Sequence, residues 1–480
     1  MSISNALSNA VTGLAAATRR ADIVSANIAN ALTPGYSRRD VVVNQRILGG
    51  VGAGVSIDGI SRASNPAVTT QRRTADGVAA QDQIVAQTYE AFNGALGEPD
   101  DAFSIFAQFS NLEGSLRDLA ATPESIPLQD QTAAAAQSIV DELRRLTDQT
   151  QETRRSSDAA IAEGVERVNA ALQTLEQVNA DISSLEIAGQ DASAQLDLRQ
   201  QLIDEIGEYV PVREIRREFG KVDLMTEEGV FLLAGDARTL TFDGPRGMAP
   251  DQSLADGQLS RLTVDGVDIT PGDAALGARE GAFAAHFKVR DEIGPEFQGQ
   301  LDALARDLIE RFQDIDPTLL PGDPGLFTDG GGAFDPANEI GIAGRIAVNE
   351  TVAAEVWRLR DGIGAAAQGP SANSDILRTM LDSLTALRTP PTSLGLTSAV
   401  SAVEAAAGLT SLVGGARVRA DNALAASNAR AQALKDAELE SSAVDTDAEL
   451  QKLLQVEQAF AANARVIQVA DQLIQQLAEI

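Results

Sequence analysis

No cysteine occurs in the chain, which excludes disulfides, thiolate metal sites and thiol nucleophiles and leaves the redox compartment open. Aromatic residues fill only 4% of the 480 positions although hydrophobic residues fill 44%, so the cores must be built from Ala, Leu, Ile and Val. That palette suits long, closely packed helices. Histidine is all but absent. His286 is the one copy, and neither a nucleophile elbow nor a zinc motif surrounds it, so a structural, surface or rim position is expected for it. Lysine is scarce too, four against thirty-four arginines, which favours planar, forked ion pairs between helices. No run approaches about 18 consecutive apolar residues, and no basic side chain precedes Arg19, so neither a membrane span nor a signal peptide is expected. Charge is one-sided: 69 acidic against 38 basic residues leave a net charge of −31, which repels nucleic acid and anionic membrane surfaces.

What the chain has instead is helical periodicity at both ends. Ile3, Leu7, Ala10, Leu14, Ala17, Ala21, Val24 and Ile28 alternate steps of four and three, a narrow heptad stripe, and Leu453, Val456, Phe460, Asn463, Ile467, Ala470, Ile474 and Leu477 repeat it. Asn30 ends the first helix, and Thr33-Pro34-Gly35-Tyr36 reads as a tight turn, with Pro setting one torsion and Gly supplying a positive one. Extended segments follow at 41–43 and 51–60, then helices at 66–96 and 103–121. Apolar spacing stays helical over 128–185, clearest at Ile161, Val165, Val168, Leu172 and Leu175. Unbroken, that rod would be on the order of 90 Å long. A shorter helix over 194–206 returns.

The period then drops to two. Short strands between Gly and Asp turns are expected within 207–275, helix resumes near Pro295, a Gly/Pro/Asp-rich loop covers 317–344, and helices occupy the rest. The expected fold is mainly α with an inserted β-rich domain, and its parts are nested and discontinuous. Residues 1–60 with 425–480 form paired terminal coiled-coil helices, 61–206 with 276–424 form a helical bundle, and 207–275 form a β module on the outside that folds separately.

Chemistry-bearing motifs are missing. Gly50-Val51-Gly52-Ala53-Gly54 has the wrong spacing for a dinucleotide loop, and the alternating strand after it offers no helix N-terminus for a pyrophosphate. A turn between strands is the better reading. Asp323, Asp329 and Asp335 lack the carboxylate spacing of a calcium loop. No catalytic residue, metal ligand or cofactor is therefore expected, and the chain reads as a non-enzyme.

The segment Ser25–Arg38, with Asn27, Asn30, Thr33, Pro34, Gly35, Tyr36, Ser37 and Arg38, resembles the N-terminal signature of flagellar rod, hook and hook-associated proteins. Its Ser-Arg ending is similar to the FlgK type. The C-terminal run with Phe460 and Asn463-Ala464-Arg465 is similar to the matching C-terminal motif, and Leu196-Asp197-Leu198-Arg199-Gln200-Gln201-Leu202 resembles a helical-domain segment of that family. Ser442-Ala443-Val444-Asp445 departs from the family's Ser-Gly-Val-Asn-type stretch, and the Asn and His expected near the end of the Pro295 helix are missing. The resemblance implies a structural subunit joining hook to filament, exported without a cleaved signal and assembled outside the cell. Its implied partners are copies of itself, hook protein, a second junction protein and an export chaperone on the C-terminal helix. The assembly contacts would then fall on Ile3, Leu7, Leu14, Val24, Ile28, Leu453, Val456, Phe460, Ile467, Ile474 and Leu477, and the free ends would order only in the assembly. Other readings are a second junction protein or flagellin-like subunit, an enzyme carried on an axial scaffold, and a cytoplasmic coiled-coil scaffold.

Overall fold

The computed structural model describes residues 3–48, 51–98, 100–244 and 247–478. Helix α1 (Ile3–Ala29) leads into an antiparallel hairpin of β1 (Arg39–Leu48) and β2 (Val51–Arg62). Helix α2 (Pro66–Leu96) begins where the Asn65 side chain accepts the Val68 N–H, and Pro66 takes a first-turn position that needs no N–H. Ser104 caps α3 (Ile105–Ala121) in the same way. The long rod is α4 (Ile126–Ile187), 62 residues without a break, and α5 (Ser193–Tyr209) folds back along it.

The period-two region forms two small antiparallel sheets. One contains β3 (Val212–Arg216), β4 (Val222–Thr226), β5 (Phe231–Ala234) and β6 (Asp236–Ala237), and the other contains β7 (Leu240–Thr241), β8 (Thr263–Val264) and β9 (Val267–Asp268). Helix then resumes earlier than Pro295. It starts as α6 (Ala282–Lys288), widens into a π-turn over Val289–Ile293, and continues as α7 (Gly294–Gln313). Pro295, which has no N–H to donate, directly follows the wider turn, so it marks a register change inside a longer helix.

The segment expected to be loop carries structure as well. β10 (Phe327–Asp329) lies within it, and α8 (Ile342–Arg345) leads directly into the partner strand β11 (Ile346–Val348). Leu326, Phe327, Ile342 and Ala343 are fully buried, so a few apolar anchors order a run that Gly and Asp otherwise dominate. Asp323 accepts the Leu320 N–H, Asp335 caps Ala337, and Asp329 pairs with Arg345 at 3.0 Å, so these carboxylates stabilise turns. Three short helices follow, α9 (Glu350–Ala354), α10 (Arg358–Asp361) and α11 (Asp375–Thr385). The chain closes with α12 (Ala402–Ser442), which starts on a Ser401/Glu404 capping box, and α13 (Thr446–Ala478). α12 runs unbroken through residue 425, and the helical break falls at 443–445.

The two largest apolar cores among the described residues share α4. The larger gathers Phe92, Phe109, Leu143, Leu304, Phe312, Phe327 and Leu409, with Phe92 and Phe297 stacked at 4.3 Å. The second joins Ile161, Val168, Leu172 and Leu175 of α4 and Ile203 of α5 to Leu224, Leu233 and Val264 of the strands and Phe283 of α6. Both small sheets thus share one apolar core with α4, α5 and α6. Replacing 207–275 by a Gly/Ser linker is therefore expected to lower the melting temperature sharply. Each large side chain left without its partner strands forfeits about 1.5–3 kcal/mol. Calorimetry of that variant checks this, and a melting temperature equal to the full chain's would show that the module is separable.

Arginine does much of the polar stitching. Arg290, fully buried in the π-turn, pairs with Asp158 at 2.6 Å, and Arg311 pairs with Asp307 at 2.6 Å while donating to the Ser383, Ala386 and Val400 carbonyls. Arg154 is held by oxygens of Gln151, Arg290, Ala249 and Gln252 at 2.8–3.0 Å. Burial pushes its pKa below the ordinary value. His286 lies on α6, mostly buried, and desolvation lowers its pKa to about 4, which keeps it neutral at physiological pH.

Candidate assembly site

The two terminal stripes meet. α1 and α13 pack along each other, and α1 also carries the hairpin, where Thr12 Oγ1 accepts the Val55 N–H at 3.2 Å. On α1 the buried residues are Ala10, Ala16, Ala17, Ile23, Val24 and Asn27, whereas Ile3, Leu7, Leu14 and Ile28 are half-buried. The contact is close because its residues are small. A side chain at Gly13 would come within 2.9 Å of the Asn463 amide, so this glycine lets α13 approach, and Asn463 of the C-terminal signature occupies the space.

α13 is mostly uncovered. Leu453, Val456, Asn463, Ala464 and Ile467 are half-buried, Arg465 and Ile474 are exposed, and Phe460 keeps 45% of its surface in solvent. Leu450, Leu454, Val466, Val469 and Leu473 are exposed too, positions outside the heptad reading. The side chain of Leu477 lies outside the described residues, as does Gly50. Two depressions run along the pair, the larger one mixed in polarity with Arg20, Asp40 and Lys452 on its walls and the smaller one apolar. One of about 480 Å³ is bounded by Ala17, Val24, Val43, Val55 and Val456, and one of about 270 Å³ by Ile3, Val466, Val469 and Leu473.

At the base of the pair the signature residues form a polar hub. Asn27 is fully buried; its amide N–H groups donate to the Arg39 carbonyl at 2.8 Å and to Glu449 at 2.9 Å, and its oxygen accepts the Tyr36 hydroxyl at 2.9 Å and the Arg39 N–H at 3.0 Å. One side chain thus ties the first helix, the turn, the first strand and the last helix. Burial raises the Tyr36 pKa, which keeps its hydroxyl a donor. Lys452 bridges Glu449 at 2.7 Å and Asp40 at 3.0 Å; burial opposes its charge, but the two hydrogen bonds outweigh it and hold its pKa above the ordinary value. The turn itself follows the sequence reading. The Asn30 side chain donates to the Ala26 carbonyl, Thr33 donates to Asn30, the Tyr36 N–H returns to the Thr33 carbonyl, and Ser37 is buried. Pro34 and Leu32 are exposed, and the Arg38 N–H bonds the Ser442 carbonyl at 2.9 Å. Gly35 adopts φ +76°, and Gln201 sits where any side chain there would go.

Sequence reasoning noted the 196–202 segment and missed its role. Asp197 receives Arg39 at 2.9 Å and Arg62 at 2.5 Å, Gln201 donates to the Pro34 carbonyl at 3.0 Å, and Gln200 bonds Glu438 at 3.0 Å. Glu438 of α12 in turn takes Thr69 and Arg72 of α2, and Arg72 and Arg73 share Asp204. Burial opposes the Arg72 charge, yet these carboxylates hold its pKa above the ordinary value. A dense run of polar residues on one short helix was the available signal.

Family models match three stretches. Residues 90–318 match the flagellar hook-associated protein FlgK helical domain, 7–36 match the flagella basal body rod protein family, and 436–480 match the flagellar basal body rod FlgEFG protein C-terminal family. The two terminal matches are the segments that Asn27 and Glu449 bring together. Flagellar hook-associated protein 1 of Escherichia coli K12 is 24% identical over 282 residues, covering 57% of this chain and 49% of that protein. This alignment takes in about half of the relative's length. The Bacillus subtilis protein of the same name is 22% identical over 495 residues, covering 93% of this chain and 92% of its own. A solved structure, the flagellar hook junction protein FlgK from Burkholderia pseudomallei, is similar over 55% of this chain and 47% of its own, with 19% identity and a TM-score of 0.45.

Proposed function

We propose, for a chain that belongs to the FlgK-type hook-associated proteins of the flagellum, that it is a structural axial subunit joining hook to filament and assembling through α1 and α13. One observation carries the reading: the paired terminal helices leave Leu450, Leu454, Phe460, Val466, Val469, Leu473 and Ile474 of α13 exposed to solvent. An exposed apolar surface of that extent marks an interaction face. Most of these side chains lie outside the heptad positions, which are largely half-buried in the pair, so α13 still offers faces on which helices of neighbouring copies can pack.

The nested parts then have distinct tasks. Residues 1–60 and 425–480 line the axis, 61–206 and 276–424 form the body, and 207–275 with its strands faces outward. Hook protein on one side and a second junction protein on the other are the neighbours such a subunit needs. An export chaperone covering the exposed side chains of α13 before assembly would suppress premature association until the subunit is delivered outside the cell. A structural, non-catalytic role fits a chain whose polar side chains are spent on helix-to-helix stitching.

Immunogold labelling of sheared hook-filament preparations tests this, with label expected as a single band between hook and filament. Label along the whole filament would favour a flagellin-like subunit, and absence from the preparation would overturn the axial reading.

A further inference from the structure

Among the described residues, the four buried apolar clusters contain no residue of α1, the β1–β2 hairpin or α13. The terminal unit therefore meets the body without a shared hydrophobic core. Two three-residue crossings link them covalently, 63–65 between β2 and α2 and 443–445 between α12 and α13. Away from these crossings the contact is polar and centres on α5. Asp197, only 7% exposed, clamps Arg39 at the start of β1 and Arg62 at the end of β2. These two arginines are paired in register across the hairpin base, so one carboxylate holds both strands at once.

We propose that Asp197 is a latch that sets the angle between the terminal unit and the body, and that the joint becomes a hinge when the latch is removed. An interface stabilised by apolar burial would lose little orientation with one carboxylate, because its non-directional contacts would remain. Here the directional, charge-assisted bonds are most of what opposes rotation about the two crossings. Asp197 is a positioning residue that acts through Arg39 and Arg62. The inference concerns the single chain and stands whether or not the subunit sits at the hook-filament junction.

The absence of cysteine makes the test direct. Spin labels on cysteines introduced at Arg46 of the hairpin and Gln177 of α4, both exposed, report the angle as a distance distribution. A narrow distribution is expected with Asp197 in place. Asp197→Ala should broaden it about twofold or more, while Asp197→Glu, which keeps the charge, should stay close to narrow. The triple variant Asp197→Ala/Arg39→Gln/Arg62→Gln should be at least as broad as Asp197→Ala, since it also removes the bond from Arg62 to Gln200. Helix content and the main melting transition of the body should stay unchanged throughout, which separates a released hinge from a misfolded chain. An unchanged distribution in Asp197→Ala, a distribution already broad with Asp197 in place, or loss of the body's melting transition would overturn the proposal.

Discussion

Asn27→Leu should release the base of the terminal helix pair. The substitution leaves Glu449 buried without its amide donor, and the Tyr36 hydroxyl and Arg39 N–H lose their acceptor. Each buried group left unpaired costs about 1–3 kcal/mol, more where it is charged, so a local loss of about 3 kcal/mol is expected. In hydrogen exchange that is a fall in protection of about a hundredfold over 21–29 and 446–455, with α4 and α7 unaffected. Asn27→Asp keeps the shape and both acceptor bonds but sets a carboxylate against Glu449, so it should release the same segments at neutral pH. Protection unchanged in Asn27→Leu would mean that helix packing alone holds the ends together.

The second large effect is a contrast between monomer and assembly. Phe460→Asp should leave monomer stability within about 0.5 kcal/mol of the parent, because the ring is already 45% exposed, yet abolish incorporation between hook and filament. In the assembly that position would bury a charge without a partner, a cost of several kcal/mol per subunit repeated around the lattice. Calorimetry of the purified variant and labelling of filaments from cells producing it read the two halves separately. A drop in monomer melting would place Phe460 in the single-chain core, and normal incorporation would remove α13 from the assembly surface. Protection along the helix pair should also be graded. It should be highest beside Asn27 and Glu449 and lowest toward Ile3 and Ile474, where small or exposed side chains supply little burial against a backbone ordering cost of about 1–2 kcal/mol per residue.

Much of the fold was legible because its signals are local. Periodicity marked α2 to the residue, α4 within two residues at either end, and the heptad ends, since every turn of a buried helix must present an apolar side chain. The π-turn was not legible: Pro295 looked like a helix start, and only the backbone pattern of Val289–Ile293 joins α6 to α7. Nor were the buried arginines. Arg154, Arg290 and Arg311 look like surface residues in a charged sequence, and what buries them is a set of carbonyl and carboxylate oxygens contributed by distant loops and helices.

By itself the sequence determined the helical character, the narrow stripes at both ends, the Thr33–Tyr36 turn and the absence of thiol chemistry, because each depends on residues within a few turns of one another. Tertiary structure alone decided that the strands complete a core begun by α4, that Asn27 meets Glu449 across 422 positions, and that Asp197 clamps the hairpin across more than a hundred. A hydrogen bond between single side chains leaves no period in the chain, and its partner is chosen only when the elements carrying both have already packed.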